Sequence, residues 1–530
     1  MGLTLDRYPA PPSAEDDRGG VYMTVTTVSR SQHDRNARPR LLKHRGTTLS
    51  PMTTALVPLA ADPPAIDSSA TAFMIICAAL VLLMTPGLAL FYGGMTRAKS
   101  VLNMMMMSFG AMGAAGVVYV LWGYSMSFGG ADIGGVLADP FEKFGLRGVA
   151  STLEGVTGTV GADGMPVIDV FGADVWIPEV LFAGFQLTFA IITVALISGA
   201  VADRVKFSTW MVFVPVWLTV VYFPIAHMVW GGGLLSAAEH SLSSWIFGVA
   251  DGAAAVAPID FAGGTVVHIN AGTAGLVLAL VVGKRLGFGR TAMRPHNVPL
   301  VMVGAGLLWF GWFGFNAGSE LAADGVASLV WVNTTAATAA AILGWLLVEK
   351  IRDGHATSIG AASGVVAGLV AITPACGALS PVGSLVLGAV AGGLAALAVG
   401  LKYRFGYDDS LDVVGVHLVA GLWGTVGAGL LATGSGLFYG GGVQQTVLQV
   451  VVALVSLVVS AVLTWVIAMA LKLTMGWRVD EEDEVAGIDA AEHAESAYDL
   501  VARGGRLGVT SSGAQHDARH HEETTEGARA

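Results

Sequence analysis

Val267-His268-Ile269-Asn270-Ala271-Gly272-Thr273-Ala274-Gly275 and Val416-His417-Leu418-Val419-Ala420-Gly421-Leu422-Trp423-Gly424 spell one phrase twice, V-H-x-x-A-G-x-x-G, each time inside a long apolar run. An ionisable ring in a membrane-spanning segment is costly to keep there and marks a functional site by default. Two such rings in matched surroundings point to a duplicated unit whose copies each give one histidine to a paired site. On an α-helix, residues four and seven positions apart share a face. His268 is therefore expected to share its face with Gly272 and Gly275, and His417 with Gly421 and Gly424. Glycine lets helix backbones approach closely, so the expectation is a narrow lumen holding two rings, not a wide aqueous pore.

With 54% hydrophobic and 13% charged residues, the chain is too apolar for a soluble protein, in which roughly 25% of residues are charged. Measured against the ~20 apolar residues that cross a bilayer, its runs give eleven spans, at about 70–94, 102–128, 177–201, 209–234, 263–284, 298–317, 326–349, 357–375, 381–402, 412–433 and 445–475. The expected fold class is an all-α polytopic membrane protein with eleven transmembrane helices. Linkers after even-numbered spans carry only Lys143 and Arg147, whereas those after odd-numbered spans hold Arg97, Lys99, Arg204, Lys206, Lys284, Arg285 and more. Basic residues favour the cytoplasmic side, so the N-terminus is expected outside and the C-terminus inside. The two copies of the phrase fall in spans 5 and 10. A repeat of five helices makes the second copy enter from the opposite side, giving two inverted five-helix repeats plus a final long helix. The net charge of -11 comes from acidic loops and tails and points to no nucleic-acid partner.

Outside the spans, residues 1–65 mix Arg, Pro, Asp and Ser without periodicity and read as a disordered extension, with Met52 a candidate for the true start. Thr54 to Ala61 is too short, and too broken by Pro58, for a signal-peptide core. The membrane domain is expected over 66–477, a cytoplasmic segment over 478–500 and a disordered tail over 501–530, where His516, His520 and His521 read as solvated. The long linker 129–176 carries no recognisable motif. Cys77 and Cys376 spell neither a disulfide framework nor a zinc site, and read as small apolar packing.

Neither repeated histidine has a Cys, Glu or second His at ligand spacing, so neither a metal nor a cofactor is expected. Two adjacent imidazoles repel as cations but can share one proton through a nitrogen-to-nitrogen hydrogen bond, and then offer both a donor and an acceptor to a small polar molecule. Aromatic residues form a second constellation: Phe185 and Phe189 with Gln186 between them, Trp312, Phe315 and Asn316 near the end of span 6, and Trp230 before Gly231-Gly232-Gly233. Singly each reads as packing; gathered at an outer mouth they could hold a small cation over ring faces, at roughly 0.5–2 kcal/mol per contact. Asp260, eight residues before His268, reads as a helix cap, a role compatible with orienting a cation or accepting a proton.

Ala226-His227-Met228-Val229-Trp230-Gly231-Gly232-Gly233, Asp260-Phe261-Ala262-Gly263-Gly264-Thr265-Val266-Val267-His268, Gly311-Trp312-Phe313-Gly314-Phe315-Asn316-Ala317-Gly318-Ser319 and Thr373-Pro374-Ala375-Cys376-Gly377 together resemble the signature segments of the ammonium transporter (Amt/Mep/Rh) family, most closely its bacterial Amt members, over roughly residues 70–500. The resemblance implies eleven helices in two inverted halves, one pore per subunit of a homotrimer, and a place in the cell membrane. It implies that Trp230, Ser319 and Phe189 recruit ammonium, that Phe189 and Phe315 form a stacked gate, and that His268 and His417 line the pore. It further implies that Asp260 is needed for transport, with Phe185, Gln186 and Trp312 supporting the site. The stretch from Gly476 to Leu500 is similar to a cytoplasmic tail that couples subunits, and in bacterial relatives a PII-type signalling protein plugs the cytoplasmic face.

The expected function is therefore ammonium transport or ammonia conduction, without enzymatic activity. The alternative is an ammonium sensor that binds more than it conducts; such relatives usually carry a signalling domain after the last span, and the stretch here is too short for a kinase or cyclase. A third reading, an intramembrane metalloenzyme using the two histidines, lacks a third ligand.

Overall fold

The computed structural model describes residues 63–150 and 158–498. The expectations for residues 1–62, including Met52 as a start, and for the tail beyond 498 with its three histidines, lie outside the described residues. Among the described residues ten helices are long and apolar enough to cross a membrane: α1 Ser68–Met95, α2 Val101–Phe128, α3 Glu179–Val201, α4 Phe207–Trp230, α5 Gly264–Val282, α6 Val298–Glu320, α7 Gly325–Asp353, α9 Pro381–Phe405, α10 Val414–Leu431 and α11 Gln444–Thr474. Between α7 and α9 lies α8, the apolar helix Ser358–Ile372, with only 15 residues. The chain is a multi-pass membrane protein.

The eighth expected span is shorter than its apolar run because Pro374 cannot continue the helix. The chain turns through Thr373–Gly377 instead, and the carbonyls left free there accept from the approach to α5: Phe261 N–H donates to Pro374 O at 3.1 Å and Ala262 N–H to Thr373 O at 3.2 Å. Irregular backbone at membrane depth is tolerated only when protein satisfies it in this way.

Five of the numbered helices start on a side-chain cap. Asp67, Asn297, Asp324, Thr357 and Ser380 each accept from a backbone N–H in the first turn of the helix they precede, which satisfies donors that have no intrahelical partner. Exposed Leu343, Leu347, Val458 and Val462 lie on the outside of α7 and α11, as side chains facing lipid tails should.

The two histidine helices depart from α geometry where the sequence placed their rings. Residues Gly264–Ile269 and Val414–Val419 form π-helical turns at the starts of α5 and α10. His268 N–H donates to Gly263 O, five residues back, at 3.1 Å. Such wide turns are rare and concentrate at functional sites. They also change the expected faces. Gly272 and Gly275 look across to Leu418 and Val413, and Gly421 to His268 and Ile269, so these three do bring α5 and α10 together, whereas Gly424 packs on the Ala371 carbonyl of α8.

α5 starts beside Trp230 and α10 starts at the other end, beside Arg204, so the two phrases run in opposite directions. At that second end, buried Arg204 donates to Ala200 O, Ala202 O, Asp408 O, Gly283 O and Ser410 Oγ. Arg285 bridges Asp203 at 3.2 Å and Asp408 at 2.8 Å. Charges buried this deeply persist only when fully partnered, and here they tie the turns after α3, α5 and α9 into one lock.

The linker 129–176 is not featureless. It contributes the short pair β1 Asp132–Ile133 and β2 Leu137–Ala138, and the antiparallel three-stranded sheet β3 Thr159–Val160, β4 Pro166–Asp169 and β5 Trp176–Pro178, on the Trp230 face. Beyond α11, short helices at Glu481–Ala486 and Ile488–His493 lie against the Arg204 face. There Asp489 accepts from Leu102 N at 3.1 Å and Asn103 N at 2.8 Å, and Glu492 accepts from Phe207 N at 2.9 Å.

Candidate functional site

Asp260 organises the first half of the site. One carboxylate oxygen accepts from Gly263 N at 3.1 Å and from Gly264 N, the other from Thr265 N at 3.0 Å, Val266 N at 3.3 Å and the Thr265 hydroxyl. The capping role read from the sequence is thus met in full, and it holds the π turn that carries His268. Burial pushes the carboxyl's pKa above its ordinary value, while the donors from Thr265, Val266 and Gly264 oppose that rise. The Asp260 backbone carbonyl accepts from Trp230 Nε1 at 3.0 Å. With its N–H held there, the indole has its ring faces left for a ligand.

Asp409 does the same for the second copy. Its carboxylate accepts from Val413 N at 3.1 Å and Val414 N at 2.7 Å, at the start of the π turn that carries His417. The sequence held the signal: Asp260 precedes His268 by eight residues (268 − 260) and Asp409 precedes His417 by eight (417 − 409). The shared spacing marks Asp409 as the counterpart of Asp260 in the second copy.

On the Trp230 face a cavity of about 450 Å³ opens, within the size range of small-ligand sites, walled by Trp230, Gln186, Asp260 and Ser319. Phe128, Phe182, Ile259 and Phe261 line it too, together with Ile168, Asp169 and Phe171 from the β4 hairpin. Sequence reasoning missed these: Ile168, Asp169, Phe171, Ile259 and Phe261 lie outside the helices, where no periodicity aims them at one point, and Phe128 and Phe182 stand at helix ends, where a ring reads as packing. Ser319 Oγ donates to Phe315 O at 2.8 Å, so the hydroxyl's lone pairs are what it can present to the cavity.

Against Trp230, on the cavity wall, lie two stacked rings. Phe189 and Phe315 stack with centroids 4.1 Å apart and planes inclined by 17°, and Phe189 meets Trp230 edge-on at 6.0 Å. Phe189 is fully buried and does not line the cavity; it forms the floor on which Trp230 stands. Phe185 buttresses it from behind, edge-on at 4.9 Å.

Beyond the rings lies a void of about 10 Å³ lined by His268, His417, Trp312, Phe315, Val267 and other apolar side chains, room for roughly one water-sized molecule. Trp312 stacks on His268 at 5.4 Å with a 16° tilt, and its Nε1 donates to Thr373 Oγ1 at 2.9 Å. The two imidazoles lie Nδ1 to Nδ1 at 3.4 Å. His268 Nε2 is buried and has no hydrogen-bond partner among the described residues, an unmet polar atom of the kind that calls for a ligand.

The sequence pattern of the Ammonium Transporter Family matches residues 72–498. The chain belongs to the ammonium transporter family. Its relatives include the ammonium transporter of Mycobacterium tuberculosis, 54% identical over 457 residues covering 83% of this chain and 92% of the relative, and that of Bacillus subtilis, 44% identical over 81% of this chain and 98% of the relative. Among solved structures, Saccharomyces cerevisiae Mep2 superposes with a TM-score of 0.66 at 30% identity, covering 78% of this chain and 91% of Mep2. A sensor Amt protein superposes with a TM-score of 0.67 at 26% identity, covering 80% and 98%. In this member of the ammonium transporter family the residues singled out in the sequence fall into three neighbouring groups. Gln186, Trp230, Asp260 and Ser319 are at the cavity, Phe185, Phe189 and Phe315 at the closure, and Trp312, His268 and His417 at the void.

Proposed function

We propose that the chain recruits ammonium in the Trp230 cavity, deprotonates it with the proton carried separately, and passes ammonia through the histidine-lined void. The observation that carries the reading is the pairing of His268 with His417 at a void sized for one small molecule, with His268 Nε2 unpartnered. A bare cation in an apolar lumen is costly, whereas neutral ammonia fits and can hydrogen-bond an imidazole nitrogen. An alkali cation has no proton to shed, so selectivity comes from chemistry more than from diameter.

In this reading Trp230 and Ser319 contact ammonium over Phe189, and Phe189 with Phe315 gates the step beyond. Asp260 is essential because it sets both Trp230 and the π turn of His268. Orientation, repeats and assembly complete the proposal: α8 counts as the eighth of eleven spans, arranged as two inverted five-helix repeats plus α11, with the Trp230 face outside and the Arg204 face in the cytoplasm. The protein is a homotrimer of the cell membrane, residues 66–477 are its transport domain and 478–500 its coupling segment. A cytoplasmic PII-type protein docks on the Arg204 face.

Uptake of methylammonium by cells lacking their own ammonium carriers tests the core of this. Uptake no faster than with an empty vector would reject it. Saturable binding without uptake would favour a sensor, the reading to which the likeness to a sensor Amt protein lends support.

A further inference from the structure

The β4 hairpin brings a side chain to the cavity that the recruitment reading does not use. Val170 N–H donates to Val175 O at 2.8 Å and closes the hairpin, with Asp169 and Trp176 paired across the strands just before it. Asp169 thereby joins Trp230, Gln186 and Ser319 on the cavity wall, though it comes from the linker 129–176.

Two carboxylates stand on that wall, and they differ in one decisive way. Both oxygens of Asp260 are taken by the α5 turn and Thr265. Asp169 Oδ1 is buried and has no hydrogen-bond partner among the described residues. A shielded carboxylate oxygen without a donor is unfavourable unless something supplies one. The rest of the wall is aromatic and apolar apart from Gln186 and Ser319, so what it lacks is a cationic donor small enough to enter.

We propose that Asp169 is a specificity-determining residue of the recruitment site, its half-buried carboxylate accepting a hydrogen bond from ammonium or a primary alkylammonium ion while Trp230 offers its ring face. The inference rests on the transport reading above and extends it: beside Asp260, whose oxygens the α5 turn already holds, the hairpin adds a second carboxylate to a site otherwise built on ring faces and neutral oxygens. The charge acts on capture, because Asp169 lies on the cavity side of the Phe189–Phe315 closure. It raises the local cation concentration through a field that salt screens and leaves the steps beyond the rings unchanged.

The test is the concentration dependence of radiolabelled methylammonium uptake by the full-length protein in cells lacking other ammonium carriers. Wild type, Asp169→Asn and Asp169→Glu are compared at low and high ionic strength. Asp169→Asn keeps the strand pairing, which is made by backbone, and is expected to raise KM about two- to fivefold, the worth of one partly exposed charge contact, with the maximal rate unchanged. Asp169→Glu is expected to stay near wild type. Higher ionic strength should raise the wild-type KM towards that of Asp169→Asn and leave the variant's own KM in place. A KM of Asp169→Asn equal to wild type, or a fall confined to the maximal rate, would overturn the inference while the transport reading stands. Wild-type uptake no better than the empty vector would overturn both.

Discussion

His268 and His417 are 149 positions apart in sequence and 3.4 Å apart between their Nδ1 atoms, with ring planes inclined by 20°. In a hydrogen bond between two neutral rings, one Nδ1 donates and the other accepts. The donor ring then has a bare Nε2 and the acceptor ring an Nε2–H, so the pair offers opposite hydrogen-bonding character at its two ends. A small molecule able both to donate and to accept, as ammonia is, can pass from one ring to the other without losing its partners.

His268→Ala removes the unpartnered Nε2 and the ring stacked on Trp312, whereas His417→Glu keeps an oxygen acceptor near the same place. A buried polar contact of about 1–1.5 kcal/mol corresponds to roughly tenfold in rate. Methylammonium uptake per inserted protein should therefore fall about tenfold or more in His268→Ala and stay within the same order of magnitude in His417→Glu. Equal losses in both would contradict the acceptor argument.

Asp260 and Asp409 cap equivalent π turns but face opposite ends of the molecule. Each Asp→Asn change replaces one accepting oxygen by an amide NH2 and leaves buried N–H groups of the turn unpaired, a loss of about 1–3 kcal/mol, and should lower the thermal midpoint of the purified protein in both cases. Only Asp260 also stands on the wall of the Trp230 cavity, so that loosening its cap shifts the backbone carbonyl on which Trp230 Nε1 rests. Asp260→Asn is expected to raise KM for methylammonium as well, while Asp409→Asn affects the maximal rate; the pair of kinetic curves separates the two effects.

The sequence made the spans and the histidine pair readable because both rest on composition and local repetition. Apolar runs of membrane length have few alternatives, and a phrase that occurs twice carries its own control. What stayed hidden depends on contacts between distant segments. The π turns at Gly264–Ile269 and Val414–Val419 arise where Asp260 and Asp409 gather the first N–H groups, and no periodicity announces them. The early end of α8 needed Pro374 to be weighed against an otherwise unbroken apolar run. That Phe189 lies between Trp230, edge-on at 6.0 Å, and Phe315, stacked at 4.1 Å, depends on α6 and could not be seen in the α3 sequence alone. The hairpin residue Asp169 lay in a linker whose sequence has no motif.

The glycine contacts between helices give a stability prediction with internal controls. A Cβ at Gly272 would sit 2.5 Å from Leu418 N, and one at Gly424 would strike the Ala371 carbonyl, while at Gly184 and Gly306 nothing lies within 4 Å. Rigid backbone cannot yield as a flexible side chain does, so overpacking here should cost about 1–3 kcal/mol. Gly272→Ala and Gly424→Ala are expected to lower the unfolding temperature in detergent, and Gly184→Ala and Gly306→Ala to leave it unchanged. Because Gly272 lies at the α5–α10 contact, its variant should also reduce uptake by the protein that remains folded.

The segment after α11 is held by carboxylates at the starts of two membrane helices. Asp489 accepts from Leu102 and Asn103 at the start of α2, where Ser100 makes no side-chain cap, and Glu492 accepts from Phe207 at the start of α4. His493 adds a contact to Asn103 Oδ1 at 3.0 Å. If each cap contributes about 1 kcal/mol, removing both in Asp489→Ala/Glu492→Ala shifts the docking equilibrium by roughly thirtyfold. Cleavage of a transiently released segment follows its open population when reclosure is fast. A glutamate-specific protease should therefore cut within residues 481–498 of the double variant roughly thirty times faster than in wild type, at a matched enzyme ratio. Glu482→Ala, which alters only an exposed side chain, should leave cleavage at the other glutamates unchanged. Equal cleavage rates in wild type and the double variant would show that the caps do not hold the segment down.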